Sequence, residues 1–194
     1  MQQIALFGGS FNPPHCGHRE VMTFLSQQPQ FDKVWVVPTF SHSFDKELID
    51  FSHRAKMCAL SFGDLGKKVE VCLVEGELKS KPSYMIDTLL ALKKQHPDTH
   101  FTIVVGSDCK KELPQWKNFK DLQREADFLF IPRAGFEESP FTDISSTKIR
   151  KALNLGEAMG DLSGGGEKRV THCFPSGYLI PSVKKYIEEN KLYR

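Results

Sequence analysis

The chain has 194 residues, with 26 Lys and Arg against 24 Asp and Glu and a net charge of +2. That length suits one sizeable domain, 1–194, whose core needs no disulfide or metal to hold it. The charge balance speaks against a polybasic nucleic-acid or membrane-surface protein, and 40% hydrophobic content excludes a largely disordered chain.

The opening MQQIALFGGSF has no basic stretch and too short an apolar run for a signal peptide. No later run approaches the roughly 20 apolar residues that span a bilayer. Cys16, Cys58, Cys72, Cys109 and Cys173 are dispersed, with no C-x-x-C pair, and read as free thiols in a reducing compartment. The expected location is the cytoplasm. Strands are predicted at 4–7, 34–37, 69–74, 101–105 and 128–131, several of them continuously apolar as in strands covered on both faces. Between them lie helical patterns. Val21, Phe24 and Leu25 share one face, as do Ala55, Cys58, Ala59 and Phe62, and then Met85, Ile86, Leu89, Leu90 and Leu92, a segment stopped by Pro97. This alternation predicts a doubly wound, Rossmann-like parallel sheet, with strands 1 and 4 neighbours at the switch point. Residues 134–143 read as loop. A helix from Ser145 or Ser146 to Gly156, a glycine-rich loop at 160–168 and a last helix at 181–190 make the C-terminal part helical.

The strongest local signal is Gly8-Gly9-Ser10-Phe11-Asn12-Pro13-Pro14-His15-Cys16-Gly17-His18, directly after the first strand. Adjacent glycines let backbone approach a phosphate, and a helix N-terminus offers unpaired N–H groups and positive dipole character. His15 and His18, three residues apart, can both turn toward phosphate oxygens. The segment lacks the Gly-Lys-Ser/Thr of a Walker loop and is not G-x-G-x-x-G. His15, Cys16 and His18 find no fourth ligand at a zinc-like spacing, so no metal site is assigned. A plain strand-to-helix turn with a capping histidine is the bland alternative.

This segment resembles the signature of the H-x-G-H nucleotidyltransferase superfamily, and Ile144-Ser145-Ser146-Thr147-Lys148-Ile149-Arg150 resembles that superfamily's second motif. Much of the remaining chain is similar to the nicotinate/nicotinamide mononucleotide adenylyltransferases. The matching residues are Ser52-His53-Arg54 with Met57, the run from Tyr84 to Leu89, Gly106-Ser107-Asp108, Leu113 with Trp116, and Pro132-Arg133. At the C-terminus they are Ile180-Pro181, Val183, Tyr186-Ile187 and Leu192-Tyr193. The resemblance implies transfer of AMP from ATP to a pyridine mononucleotide, with Mg²⁺ carried on the ATP phosphates. It makes His15, His18 and Arg150 the catalytic candidates. ATP would be held by Gly8, Gly9, Ser10, Phe11, His15, His18, Gly106, Asp108, Ser145, Ser146, Thr147 and Arg150. The mononucleotide would meet Ser10, Asn12, Lys46, Tyr84, Thr88, Trp116 and Arg133. Trp116 is expected against the pyridine ring, with burial in the core as its alternative, and Trp35 is expected to pack. For Ser146, Thr147 and Arg150 the bland alternative is a capped, solvated helix start.

Two segments depart from the family. Many bacterial relatives carry Pro-Pro-His-Lys after the second strand, where this chain has Ser41-His42-Ser43-Phe44-Asp45-Lys46 and keeps only the lysine. The connection 156–176 is longer and richer in glycine than usual. Other readings are an H-x-G-H enzyme acting on phosphopantetheine or a phospho-alcohol, and a non-catalytic nucleotide sensor. The intact His15, His18 and Arg150 weigh against the sensor. The expected partners are ATP and a pyridine mononucleotide, with no nucleic acid and no membrane. The choice between acid and amide base, and self-association, are left open by the sequence.

Overall fold

The computed structural model describes residues 1–42, 47–133, 138–155 and 177–193. Five parallel strands, β1 (Gln2–Gly9), β2 (Lys33–Pro38), β3 (Val69–Val71), β4 (Thr99–Gly106) and β5 (Asp127–Ile131), form one sheet in the order β3-β2-β1-β4-β5. The chain winds outward from β1 to β3, then returns to lay β4 on the other side of β1. Phe7 pairs with Val36 on one side and Val104 on the other. The predicted β1–β4 adjacency is therefore present, and the switch point lies where these two strands end.

Among the described residues seven α-helices accompany the sheet: α1 (Cys16–Gln27), α2 (Phe51–Phe62), α3 (Val74–Leu78), α4 (Met85–Gln95), α5 (Phe119–Glu125), α6 (Ser146–Leu155) and α7 (Pro181–Glu189). Strand side chains alternate between two cores, as the pleat requires. Ile4, Leu6, Phe101 and Ile103 pack with Val74, Ile86, Leu89 and Leu122 of α3, α4 and α5. Ala5, Val34, Val36 and Val104 pack on the other face with Met22, Leu25, Cys58 and Phe62 of α1 and α2. A third cluster joins Met57 of α2 to Ile149 of α6 and to Val183 and Ile187 of α7, so the C-terminal helices build outward from α2.

Several sequence expectations need correction. The third strand stops at Val71, because Val74 opens α3 and buries its side chain there. On α1, Phe24 is 40% exposed and the core position beside Val21 and Leu25 belongs to Met22. Ala59 is exposed on α2, whose buried face is Arg54, Met57, Cys58, Ser61 and Phe62. Leu90 of α4 is also exposed. The last helix ends at Glu189. Of the expected loop 134–143, the described part, 138–143, forms no helix or strand. Trp35 packs in the core as expected, with its indole N–H donating to Glu70. Lys46, Cys173, Gly156 and the rest of the glycine-rich connection lie outside the described residues.

Candidate active site

The carboxyl ends of β1 and β4 open onto a cleft of about 480 Å³, within the range of small-molecule sites. Gly8, Gly9 and Ser10 line its floor, Gly106 the β4 side, and Tyr84 and Trp116 its far walls. Beyond β1 the chain turns sharply. Phe11 adopts φ 45°, a left-handed backbone uncommon for a bulky residue. Its ring is anchored by edge contacts to Phe62 and His18, with centroids 5.9 and 5.0 Å away.

His15 is the N-cap of α1. Its Nδ1 accepts from the His18 N–H, and His18 Nδ1 accepts in return from the His15 N–H, a reciprocal capping box. With both Nδ1 atoms accepting, each neutral ring carries its proton on Nε2 as a donor. The rings stack with centroids 3.6 Å apart. Burial, then His18 and Arg133, hold the His15 imidazole well below its ordinary value. Burial followed by Arg133 lowers His18 to about 3. Between them, Gly17 is tightly enclosed. A Cβ there would lie 3.3 Å from the His15 ring and from Ile144 Cγ2.

The second motif is clamped onto this turn. Arg150 donates to the Asn12 carbonyl at 2.7 Å, and the Ser146 hydroxyl to the Pro13 carbonyl at 2.8 Å. Ser145 receives the Lys148 N–H and so caps α6, while Thr147 is exposed beside the Arg150 guanidinium. Glu20 of α1 accepts from both the N–H and the hydroxyl of Thr142, which anchors the loop leading into α6.

After β4, Asp108 folds back over Gly106, where any Cβ would collide with Asp108 Oδ1. Oδ2 pairs with Arg133 at 2.7 Å, whereas Oδ1 is buried with no hydrogen-bond partner among the described residues. The Arg133 N–H reaches Ser107 Oγ. Trp116 is half-buried: one part rests on the core and another lines the cleft. Lys117 lies over the Tyr84 ring and pairs with Asp87. Two expected contact residues are occupied within the fold. The buried Asn12 amide donates to the Glu47 carbonyl and accepts from Tyr193 Oη. The buried Thr88 hydroxyl donates to Glu75.

Sequence reading assigned no role to Arg54, Glu75, Glu20 or Tyr193. Arg54 is buried and donates to the Ile49, Ser10, Thr39 and Phe40 carbonyls, tying the turns after β1 and β2 together. Its one signal in sequence was its place beside Met57 in the family resemblance.

A nucleotide-binding α/β domain with two sequence-distant motifs meeting at one switch point is the class this geometry defines. The cytidylyltransferase-like family model matches residues 6–152, and the chain belongs to that family. The Bacillus subtilis nicotinate-nucleotide adenylyltransferase is 31% identical over 206 aligned positions, covering 100% of this chain and 99% of the relative. A Myxococcus xanthus protein named as a probable nicotinate-nucleotide adenylyltransferase is 36% identical, over 82% of this chain and 86% of its own. In fold, the chain is similar to a Plasmodium falciparum nicotinic acid mononucleotide adenylyltransferase complexed with NaAD. That structure has a TM-score of 0.79 and 24% identity, covering 100% of this chain and 98% of the other.

Proposed function

We propose that the protein transfers the AMP of ATP to nicotinate mononucleotide, forming the dinucleotide and pyrophosphate. The observation that carries this reading is the clamp of Arg150 and Ser146 on the Asn12 and Pro13 carbonyls. It ties the α6 start to the turn that leads into His15 and His18. The nicotinate-nucleotide adenylyltransferase relatives support the choice of acceptor.

A mononucleotide phosphate oxygen attacks the α-phosphorus in line. The bond from that phosphorus to the oxygen bridging the β-phosphate breaks, and its electron pair leaves with pyrophosphate. The nucleophile is already anionic at pH 7, so no general base is needed. Positioning and charge stabilisation carry the reaction. Neutral His15 and His18, each with an Nε2–H donor, suit that task. Gly8, Gly9, Ser10 and Phe11 shape the turn beneath the phosphates. Ser145, Ser146 and Thr147 begin a helix whose dipole attracts the β- and γ-phosphates, and Arg150 adds a planar fork. The unpartnered Asp108 Oδ1 suits the ribose hydroxyls of ATP, and Arg133 supports it from the other oxygen.

Trp116 and Tyr84 wall the pyridine end. Asn12 and Thr88 contribute by holding backbone, since their side chains are already engaged. The Tyr84 N-cap leaves the α4 start without a side-chain cap. An uncapped helix start at the cleft favours a carboxylate over a carboxamide. Mg²⁺ would neutralise charge on the triphosphate. As a hard cation that keeps several waters, it would take phosphate oxygens and water as its ligands. No helix among the described residues is long and apolar enough to cross a membrane. The reading carries a cytoplasmic location and one domain over 1–194. Incubation with ATP and, in turn, nicotinate mononucleotide, nicotinamide mononucleotide and phosphopantetheine tests it by chromatography. The acid dinucleotide should form fastest, and formation of neither dinucleotide sinks the reading.

A further inference from the structure

The walls of the cleft's pyridine end are not continuous chain. The segment 39–41 follows β2, and 83–85 begins α4. Every backbone polar group of 39–41 is held. The Thr39 N–H donates to the Gly9 carbonyl, and the Thr39 and Phe40 carbonyls accept from Arg54. The Ser41 N–H meets Ser83 Oγ at 3.2 Å, and its carbonyl accepts from the Ser83 N–H at 2.9 Å. The Phe40 N–H donates to Glu75 Oε2 at 2.9 Å, while Thr88 Oγ1 donates to Glu75 Oε1, also at 2.9 Å. Glu75 is 4% exposed and lines the cleft behind Ser83 and Tyr84. A single buried carboxyl thus joins the segment after β2 to the first turn of α4, while Arg54 joins the same segment to Ser10 of the phosphate turn.

We propose that Glu75 is a positioning residue for the acceptor: it holds the 39–41 segment and the α4 start in the register that shapes the mononucleotide wall. This rests on the adenylyltransferase reading of the site. The bonds that fix the ATP side, from Arg150, Ser146 and Asp108, do not pass through Glu75. Loss of the carboxyl therefore loosens one half of the cleft and spares the other. Burying a carboxyl is costly, and here burial pushes its pKa up. Both of its oxygens are satisfied by donors from two separate segments, which is what a clasp requires.

The test compares Glu75→Ala with Glu75→Gln. The glutamine carbonyl can accept from Phe40 N–H. Its NH₂ can donate to Thr88 Oγ1, which then turns its proton to the Tyr84 carbonyl 3.3 Å away. Glu75→Ala should raise the KM for nicotinate mononucleotide about 10-fold, by misplacing the acceptor. The KM for ATP should stay within about 2-fold, since uniform binding is lost on one side only. Glu75→Gln should recover most of the loss. Should Glu75→Ala fail to fold, Glu75→Asp is used, because it is too short to reach both donors and should give the same split. Equal changes in both KM values, an unchanged mononucleotide KM, or no recovery by glutamine overturns the proposal. A wild-type protein that forms no dinucleotide refutes the function itself, and this proposal with it.

Discussion

At the scale of single residues, the site depends on donors that are set before any ligand arrives. His15 and His18 exchange backbone hydrogen bonds through their Nδ1 atoms, which commits both Nε2–H groups to the outside of the cap. This permits a sharper substitution than alanine. In His18→Asn, the amide oxygen can replace Nδ1 as acceptor of the His15 N–H, while the outer donor is lost. Turnover should fall about 10²–10³-fold, with the urea midpoint little changed. Near wild-type turnover would remove His18 from the catalytic set. Trp116 rests partly on the core and partly in the cleft, so its truncation has two separable consequences. Trp116→Ala should raise the mononucleotide KM more than the ATP KM, because stacking on an aromatic is worth roughly 1–3 kcal/mol in comparable settings. Equal effects on both substrates would leave only its packing role.

At the scale of elements, the sheet was legible because β1, β2, β4 and β5 carry concentrated apolar runs, and the two motifs were legible because their spacing is local. The faces of the helices were less so. Apolar periodicity placed Phe24, Ala59 and Leu90 inward, but the inward positions include Arg54, a charged side chain that saturates carbonyls from two turns. A hydrophobic pattern has no way to mark an inward-turned guanidinium or carboxyl, since their partners are polar groups distant in sequence. Glu75 and Glu20 were missed for the same reason. The joining of α6 to the β1 turn was foreseen only through resemblance; its physical content is two hydrogen bonds to the Asn12 and Pro13 carbonyls. Arg150→Lys tests that junction. An ammonium is one strongly hydrated point charge and cannot hold a carbonyl and a phosphate in one plane. The KM for ATP, and for pyrophosphate in the reverse reaction, should rise, while that for the mononucleotide stays nearly constant. Unchanged pyrophosphate use would confine Arg150 to holding the turn.

At the scale of the whole molecule, the site is linked to the pH dependence of folding. In the unfolded chain each of the two histidines titrates near the ordinary 6.5, whereas burial, and next Arg133, takes folded His18 down to about 3. As pH falls, the unfolded state therefore binds protons first. The stability associated with the neutral rings is fully present above pH 6.5 and is lost as pH falls from there toward 3. His15 is lowered in the same direction and adds to this slope. Glu75 works oppositely: its carboxyl is raised, so the folded state holds that proton more tightly and gains stability as pH falls through its folded value. The histidine effect starts at higher pH, so the descent below neutrality should be governed first by the imidazoles. Urea unfolding at pH 7.5, 6.0 and 5.0 should show the wild-type midpoint falling as pH drops. His18→Asn, which keeps the cap but cannot take up a proton, should show a shallower fall. Parallel slopes for the two proteins would mean that the His18 ring titrates alike in the folded and unfolded states, and that its neutral form is not built into the fold.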